Sequence, residues 1–229
     1  MKTIAIVPVK RFENAKQRLS SLLEPAQRAE LAEAMFLDTL SHVRRSKRID
    51  ETFVVTSEPV VARTARWMGV ELLEQDRDDG HTAAAIAGVK LAMEQGADRV
   101  ALLPADCPLL DAAELDRHLG QMPRSALIIP DRHRTGTNAL LLSPPDAFEP
   151  AFGPDSCARH AGRARAAGVS FVIDPIASLS LDLDTPEDYA ELRHELLLDS
   201  NRATRTAQLI WRFEEESGSA SESGAQAAV

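Results

Sequence analysis

Only 4% of the 229 residues are aromatic, so a buried core must be built mainly from Leu, Val, Ile and Ala. Two cysteines, Cys107 and Cys157, are too few for a disulfide framework, which fits a reducing, cytoplasmic setting. No apolar run approaches the length of a bilayer span, so no membrane partner is expected. Strand-like residues begin at Thr3, leaving no room for the apolar stretch of a secretory signal. Basic charge is scarce: 26 Lys and Arg stand against 35 Asp and Glu, a net charge of −9. Affinity for a long polyanion comes from clustered cations, so no nucleic-acid partner is expected. A triphosphate stays open, because one basic loop or a divalent metal held by carboxylates is enough to bind it. Residues 10–18 contain no glycine, so neither a P-loop nor a dinucleotide fingerprint is present there. The chain has no internal repeat.

What is present is 44% hydrophobic residues, enough for a proper core, in a length that suits one large α/β domain or two small ones. Residues 4–9 are a short apolar run, the pattern of a first buried strand. A loop with Lys10, Arg11, Lys16 and Arg18 follows. Pro25 opens a helical pattern to about residue 43, with Leu31, Met35, Leu40 and Val43 on one face. Residues 52–56, 70–73, 100–103 and 126–129 read as further strands, separated by helices near 60–68, 82–94 and 111–119. Thr82 is placed to cap the second of these helices and Asp111 the third. This alternation predicts an α/β fold with a mostly parallel, Rossmann-like sheet flanked by helices. Further on, residues 138–142, 170–173 and 179–183 read as strands, with one helix over 156–167. Thr185-Pro186-Glu187-Asp188 reads as a helix start: a cap, proline at the first helical position, then acids. A last helical piece spans about 203–213. From Glu214 the composition turns mostly to Glu, Ser, Gly and Ala, without a basic residue. A single domain over 1–213 and a disordered tail over 214–229 are therefore expected.

Four stretches carry candidate chemistry. Pro8-Val9-Lys10, followed by Lys16, Gln17 and Arg18, sets several cations in a loop at the carboxyl end of a strand. Doubly wound folds bind ligands there, and such a loop suits a triphosphate; the alternative is a solvated basic loop. Pro104-Ala105-Asp106-Cys107-Pro108 fixes an aspartate just past a buried strand. Magnesium favours a few carboxylates plus phosphate oxygens, so Asp106 is a candidate ligand, the alternative being a turn residue. Cys107 has no neighbour that argues for a lowered thiol pKa and reads as buried filler. Asp182 and Asp184 would share a face if 179–183 is a strand, and two adjacent carboxylates call for a cation; the alternative is that Asp184 only caps the next helix. Lastly, Gly136-Thr137-Asn138 and Phe152-Gly153-Pro154-Asp155-Ser156 offer glycines for close approach. The second also offers a helix start whose free amides, with Ser156, suit an anion.

Together and in this order, Pro8-Val9-Lys10, Ala15-Lys16-Gln17-Arg18-Leu19, Pro104-Ala105-Asp106, Gly136-Thr137-Asn138, Phe152-Gly153-Pro154-Asp155-Ser156 and the run from Leu181 to Asp188 resemble a known family. It is that of the 2-phospho-L-lactate guanylyltransferases, also called phosphoenolpyruvate guanylyltransferases, of coenzyme F(420) biosynthesis. The likeness spans residues 3–198 and reaches His160. It implies a nucleotide-diphospho-sugar transferase fold, similar to that of the molybdenum-cofactor nucleotidyltransferases. It implies that Lys10, Lys16 and Arg18 meet the phosphates of GTP, with Gly80 and Thr82 in the nucleotide loop, and that Lys16 and Asp106 are catalytic. It further implies magnesium on Asp106 with Asp182 or Asp184, and a phosphorylated acid on Thr137, Gly153 and Ser156. Two positions depart from the family pattern. Gly80-His81-Thr82 stands where Gly-Leu-Asn is usual, and Cys107 follows Asp106 where an aliphatic residue is usual.

The implied reaction is an in-line attack by the acceptor's phosphate on the α-phosphorus of GTP. The nucleophile is already an anion, so positioning and charge neutralisation carry the catalysis. The Ala- and Arg-rich composition suggests a bacterial source, and the resemblance then implies phosphoenolpyruvate, the acceptor mostly assigned to bacterial members, with 2-phospho-L-lactate and 3-phospho-D-glycerate as close alternatives. A molybdenum-cofactor nucleotidyltransferase would usually have a glycine-rich first loop. A regulatory module that only binds nucleotide would not need Asp106, Asp182 and Asp184. A homodimer is compatible with such a chain.

Overall fold

Burial on both faces of one sheet explains why the strands read as unbroken apolar runs. β1 (Thr3–Val9) is buried along its whole length. Its Ala5, Val7 and Val9 enter the core on one face, and Ile4 and Ile6 enter the core on the other. β4 (Arg99–Leu102) and β6 (Thr137–Leu142) divide the same way, Ala101, Ala139 and Leu141 facing opposite to Leu102, Leu140 and Leu142. The first face is covered by α1 (Pro25–Val43), α2 (Pro59–Trp67) and α4 (Ala112–Gln121). The second is covered by α3 (His81–Glu94) and α5 (Ser156–Ala166). This computed structural model describes residues 1–122 and 125–226.

β2 (Glu51–Thr56), β3 (Glu71–Glu74), β5 (Ala126–Pro130) and β7 (Phe171–Ile173) complete a seven-stranded sheet. Its order is β3-β2-β1-β4-β6-β5-β7. β6 runs antiparallel to both its neighbours, and every other pair is parallel. The mostly parallel sheet expected from the alternation is the one observed. The chain leaves β1 towards β2 on one side and returns to β4 on the other. The strand order thus reverses between β1 and β4, the place where open α/β sheets form a crevice. α3 closes tightly over this region. A Cβ built on Gly88 would lie 2.4 Å from Ile6 Cγ2, so only glycine lets the helix approach β1 so closely.

The expected strand at 179–183 does not form. Ala177–Leu179 is a 3-10 turn and residues 180–184 continue without regular structure. Leu181 and Leu183 bury instead beside Leu31 and Met35 of α1 and Leu192 and Leu196 of α6 (Pro186–Leu198). α7 runs unbroken over Thr204–Gln226, so the segment expected to be disordered is helical as far as it is described, and residues 227–229 lie outside the described part. The helix is carried past Ile210 and the buried Phe213 by Glu214, which pairs with Arg193 of α6. No described helix is long and apolar enough to cross a membrane.

Candidate active site

The loops leaving β1 and β4 open into the crevice together. After β1 the chain forms two 3-10 turns, Phe12–Asn14 and Gln17–Leu19, with Lys16 between them in the left-handed region at φ 52° and ψ 40°. That conformation costs a lysine about 1–2 kcal/mol, so its surroundings must hold it there. Leu19 is fully buried, and the Phe12 N–H donates to the Glu58 carboxylate at 3.0 Å. The Lys16 ammonium reaches across the crevice and lies 2.6 Å from Asp106 Oδ2 and 3.0 Å from Asp184 Oδ1. Asp106 arrives from the other side, where the Leu103 N–H donates to the Ile6 carbonyl at 2.9 Å and extends the β1–β4 ladder by one residue.

Asp182 and Asp184 come from the irregular segment before α6, so strand geometry does not align them. The helix start does. Thr185 caps α6 in a capping box with Asp188, and the Asp184 and Thr185 amides donate to the Asp188 carboxylate at 3.0 and 2.7 Å. The cap is therefore Thr185, which leaves the Asp184 carboxylate for Lys16. Arg132 holds Asp188 from the β5–β6 loop at 2.6 Å. Asn138, at the start of β6, donates through Nδ2 to the Leu179 carbonyl at 2.7 Å and to Asp182 Oδ1 at 3.2 Å. Asn138 was legible as part of Gly136-Thr137-Asn138, but its partner lies 44 residues away and no spacing links the two.

Electrostatics separate these groups. Burial works against the Lys16 charge, yet Asp106 and then Asp184 outweigh it and raise its pKa above the ordinary lysine value. Burial works against the Asp106 charge too, and Lys16 more than compensates, so its carboxyl stays below the usual range. Asp182 is different. Burial first, then Asp106 and Asp184, push it up to about 6, and among the described residues it forms no ion pair. As these side chains stand, the described residues include no group of three or more His, Cys, Asp and Glu arranged to hold a metal ion, and Lys16 occupies the space between two of the acids. A carboxyl repelled by two others and without its own cation is nevertheless a fit for a divalent ion. Lys10 and Arg18 are exposed on the rim of the same loop. Cys107 is fully buried, with burial raising its thiol pKa and Sγ–H near the Leu179 carbonyl, so it is filler as expected.

The nucleotide-loop and acceptor-loop candidates meet directly. Gly80 begins α3 at φ 95°, a backbone that glycine favours, so the helix starts at His81 and Thr82 falls inside its first turn. Thr82 is therefore not the cap that was expected. Its hydroxyl donates to the Phe152 carbonyl at 3.2 Å, and the His81 ring meets the Phe152 ring edge-on at 4.6 Å. Burial lowers the His81 pKa to about 4, with Asp106 opposing and Lys10 reinforcing the shift. Gly153 turns at φ 108° into the start of α5. There the expectation of free amides needs correction. The Ser156 N–H donates to the Gly153 carbonyl at 3.1 Å and the Cys157 N–H to the Thr135 carbonyl at 3.2 Å. What remains for a ligand is chiefly the hydroxyls. Ser156 and Thr137 are both buried, and Thr137 Oγ1 lies 3.0 Å from His160 Nδ1.

Residues 3–211 match the family described as Guanylyl transferase CofC like. The chain belongs to that family. It is 44% identical over 214 residues to the phosphoenolpyruvate guanylyltransferase of Conexibacter woesei, covering 92% of this chain and 96% of that one. It is 33% identical to the 2-phospho-L-lactate guanylyltransferase of Methanothermobacter thermautotrophicus, covering 84% of each. A relative named 3-phospho-D-glycerate guanylyltransferase, from Phenylobacterium zucineum, is 36% identical and is matched over 82% of this chain and 88% of its own. Among solved structures, one assigned to the nucleotide-diphospho-sugar transferases, from Desulfovibrio desulfuricans G20, superposes with a TM-score of 0.77 at 18% identity, over 94% of this chain and 96% of that one. A nucleotidyl transferase from Methanothermobacter thermautotrophicus gives 0.68 at 19% identity, over 86% and 98%. The fold is thus that of the nucleotide-diphospho-sugar transferases, as the sequence resemblance implied.

Proposed function

We propose that this chain transfers GMP from GTP to the phosphate of a small phosphorylated acid, phosphoenolpyruvate first among them, releasing diphosphate in coenzyme F(420) biosynthesis. The observation that carries this reading is the meeting of Lys16, Asp106, Asp182 and Asp184 at the strand-order reversal, in a chain of this family. Phosphoenolpyruvate ranks before 2-phospho-L-lactate and 3-phospho-D-glycerate because a relative of that name reaches 44% identity, against 33% and 36% for relatives named for the other two acids. Both substrates are small anions of the cytoplasm, where we place the reaction.

An oxygen of the acid's phosphate forms the new bond to the α-phosphorus. The bond from that phosphorus to the bridging oxygen breaks opposite it, and its electron pair leaves with diphosphate. No proton need be removed from the nucleophile, so His81, held neutral, is not required as a base. The chain contributes positive charge from Lys10, Lys16 and Arg18 and positions the two substrates against each other. Asp106 and Asp182, with Asp184 beside them, are the residues that would hold magnesium, which supplies charge neutralisation on the phosphates when bound. Thr137, Gly153 and Ser156 hold the acid, and the Thr82–Phe152 hydrogen bond joins the loops of the two substrates.

The test is a panel of GTP, ATP and CTP against the three acids with magnesium, products identified by mass. A mixed diphosphate of GMP and phosphoenolpyruvate, with diphosphate released in equal amount, is expected. Diphosphate release that ignores the acid, or no product from any pair, would sink the proposal.

A further inference from the structure

His160 sits at the centre of a buried hydrogen-bond chain whose protons can be assigned. Its ring is fully buried on α5, with Phe152 edge-on at 5.1 Å and Phe148 at 6.2 Å. The Ala151 backbone N–H donates to Nε2 at 2.8 Å. A backbone amide can only donate, so Nε2 presents its lone pair and carries no proton. A neutral imidazole with a bare Nε2 must carry its proton on Nδ1. Nδ1 faces Thr137 Oγ1 at 3.0 Å, so the imidazole donates and the hydroxyl accepts. Among the described residues His160 is the only hydrogen-bond partner of the Thr137 hydroxyl. The hydroxyl's own proton is thus turned away from His160.

We infer that His160 is a positioning residue that fixes the Thr137 hydroxyl as a donor, so that it reads an anionic oxygen of the phosphorylated acid. The inference rests on the acceptor reading given above. An unconstrained threonine hydroxyl serves equally as donor or acceptor and would tolerate a ligand hydroxyl or amide in the same place. With one of its two lone pairs engaged by Nδ1–H and its proton directed away from His160, it favours a carboxylate or phosphate oxygen over a ligand donor, which could reach only the remaining lone pair. Burial, then the Arg163 and Arg159 charges, lower the His160 pKa to about 4, which keeps the ring neutral through the physiological range.

Two measurements test this. The first is the nitrogen-15 spectrum of the full chain labelled at histidine, with His160 assigned by its disappearance in H160N. The δ tautomer is expected; an ε tautomer or an imidazolium would overturn the assignment. The second is kinetic. H160L should raise the acceptor KM about tenfold, the loss expected for one hydrogen bond to an anion, while the GTP KM stays within about twofold. T137V should do the same, and the double variant should be no worse than either alone, because His160 acts through that hydroxyl. H160N, which keeps an N–H at the δ position, should recover more of the loss than H160Q. Multiplying effects in the double variant, or an equal change in the GTP KM, would reduce His160 to packing. If H160L fails to fold, the tautomer of the wild-type chain decides. If the wild-type chain turns over no acid, the acceptor reading fails, and the spectrum still judges the hydrogen-bond chain separately.

Discussion

At Asp182 the chain keeps a carboxyl where ionising it is unfavourable. Its folded pKa, about 6, lies above the ordinary aspartate value, so the folded state binds more protons than the unfolded state across that interval. Stability therefore falls as pH rises from about 4 to about 6, and the penalty is complete above that range. Asp182→Asn should remove it. The melting temperature near neutral pH should rise by a few degrees, the shift for about 1 kcal/mol in a chain of this size, and the gain should shrink in acid. Turnover should be lost in the same variant. A melting temperature that does not rise at neutral pH would mean that the carboxylate is already compensated. Asp106→Asn should lower turnover at least about a hundredfold with the fold retained, as checked by diphosphate release and circular dichroism. Lys16, Asp106, Asp182 and Asp184 were legible because each stands in a short run whose chemistry is local: cations after a strand, an acid between prolines, acids before a capped helix. His160 and Asn138 were not assigned roles, because what they do depends on partners 23 and 44 residues away that only folding supplies.

Among the elements, the strands of the parallel half were read nearly to the residue, since a short unbroken apolar run between helical patterns folds almost only as a buried strand. The segment with Leu181 and Leu183 shows the limit of that reading. Leucines alternating with acids make a two-residue period, and a strand shares that period with an irregular segment that buries every second side chain against helices. Composition predicts disorder from residue 214 because no apolar surface is seen there, and the Glu214–Arg193 ion pair to α6 is invisible in a single segment. Phe213→Ala should cost about 3–5 kcal/mol in urea unfolding, since it empties a buried site against α1 and α6. Deletion of residues 217–229, poor in apolar side chains, should leave both melting temperature and turnover unchanged. Gly88→Ala is the complementary case. Helix propensity alone favours alanine by about 1 kcal/mol, but the new methyl would meet Ile6, so a net destabilisation of about 1–3 kcal/mol is expected. A more stable Gly88→Ala protein would mean that α3 moves off β1 freely.

For the molecule as a whole, function follows from topology. One reversal of strand order brings the loop after β1 and the loop after β4 to the same crevice, and the segment leading into α6 closes it with two more acids. The acceptor loops reach the same end of the sheet only because β6 runs against its neighbours, which sets Asn138 beside Asp182 and Thr137 beside His160. That reversal was not readable from strand composition, since an antiparallel strand buried on both faces looks like a parallel one. The proposed chemistry stands or falls on the bond that this arrangement makes. Phosphorus-31 NMR of the wild-type chain with GTP, magnesium and phosphoenolpyruvate observes it directly. Two mutually coupled resonances are predicted, one from the acid's phosphorus and one from that of GMP, growing in step with diphosphate. GDP and inorganic phosphate instead, with the acid's resonance unchanged, would contradict that chemistry.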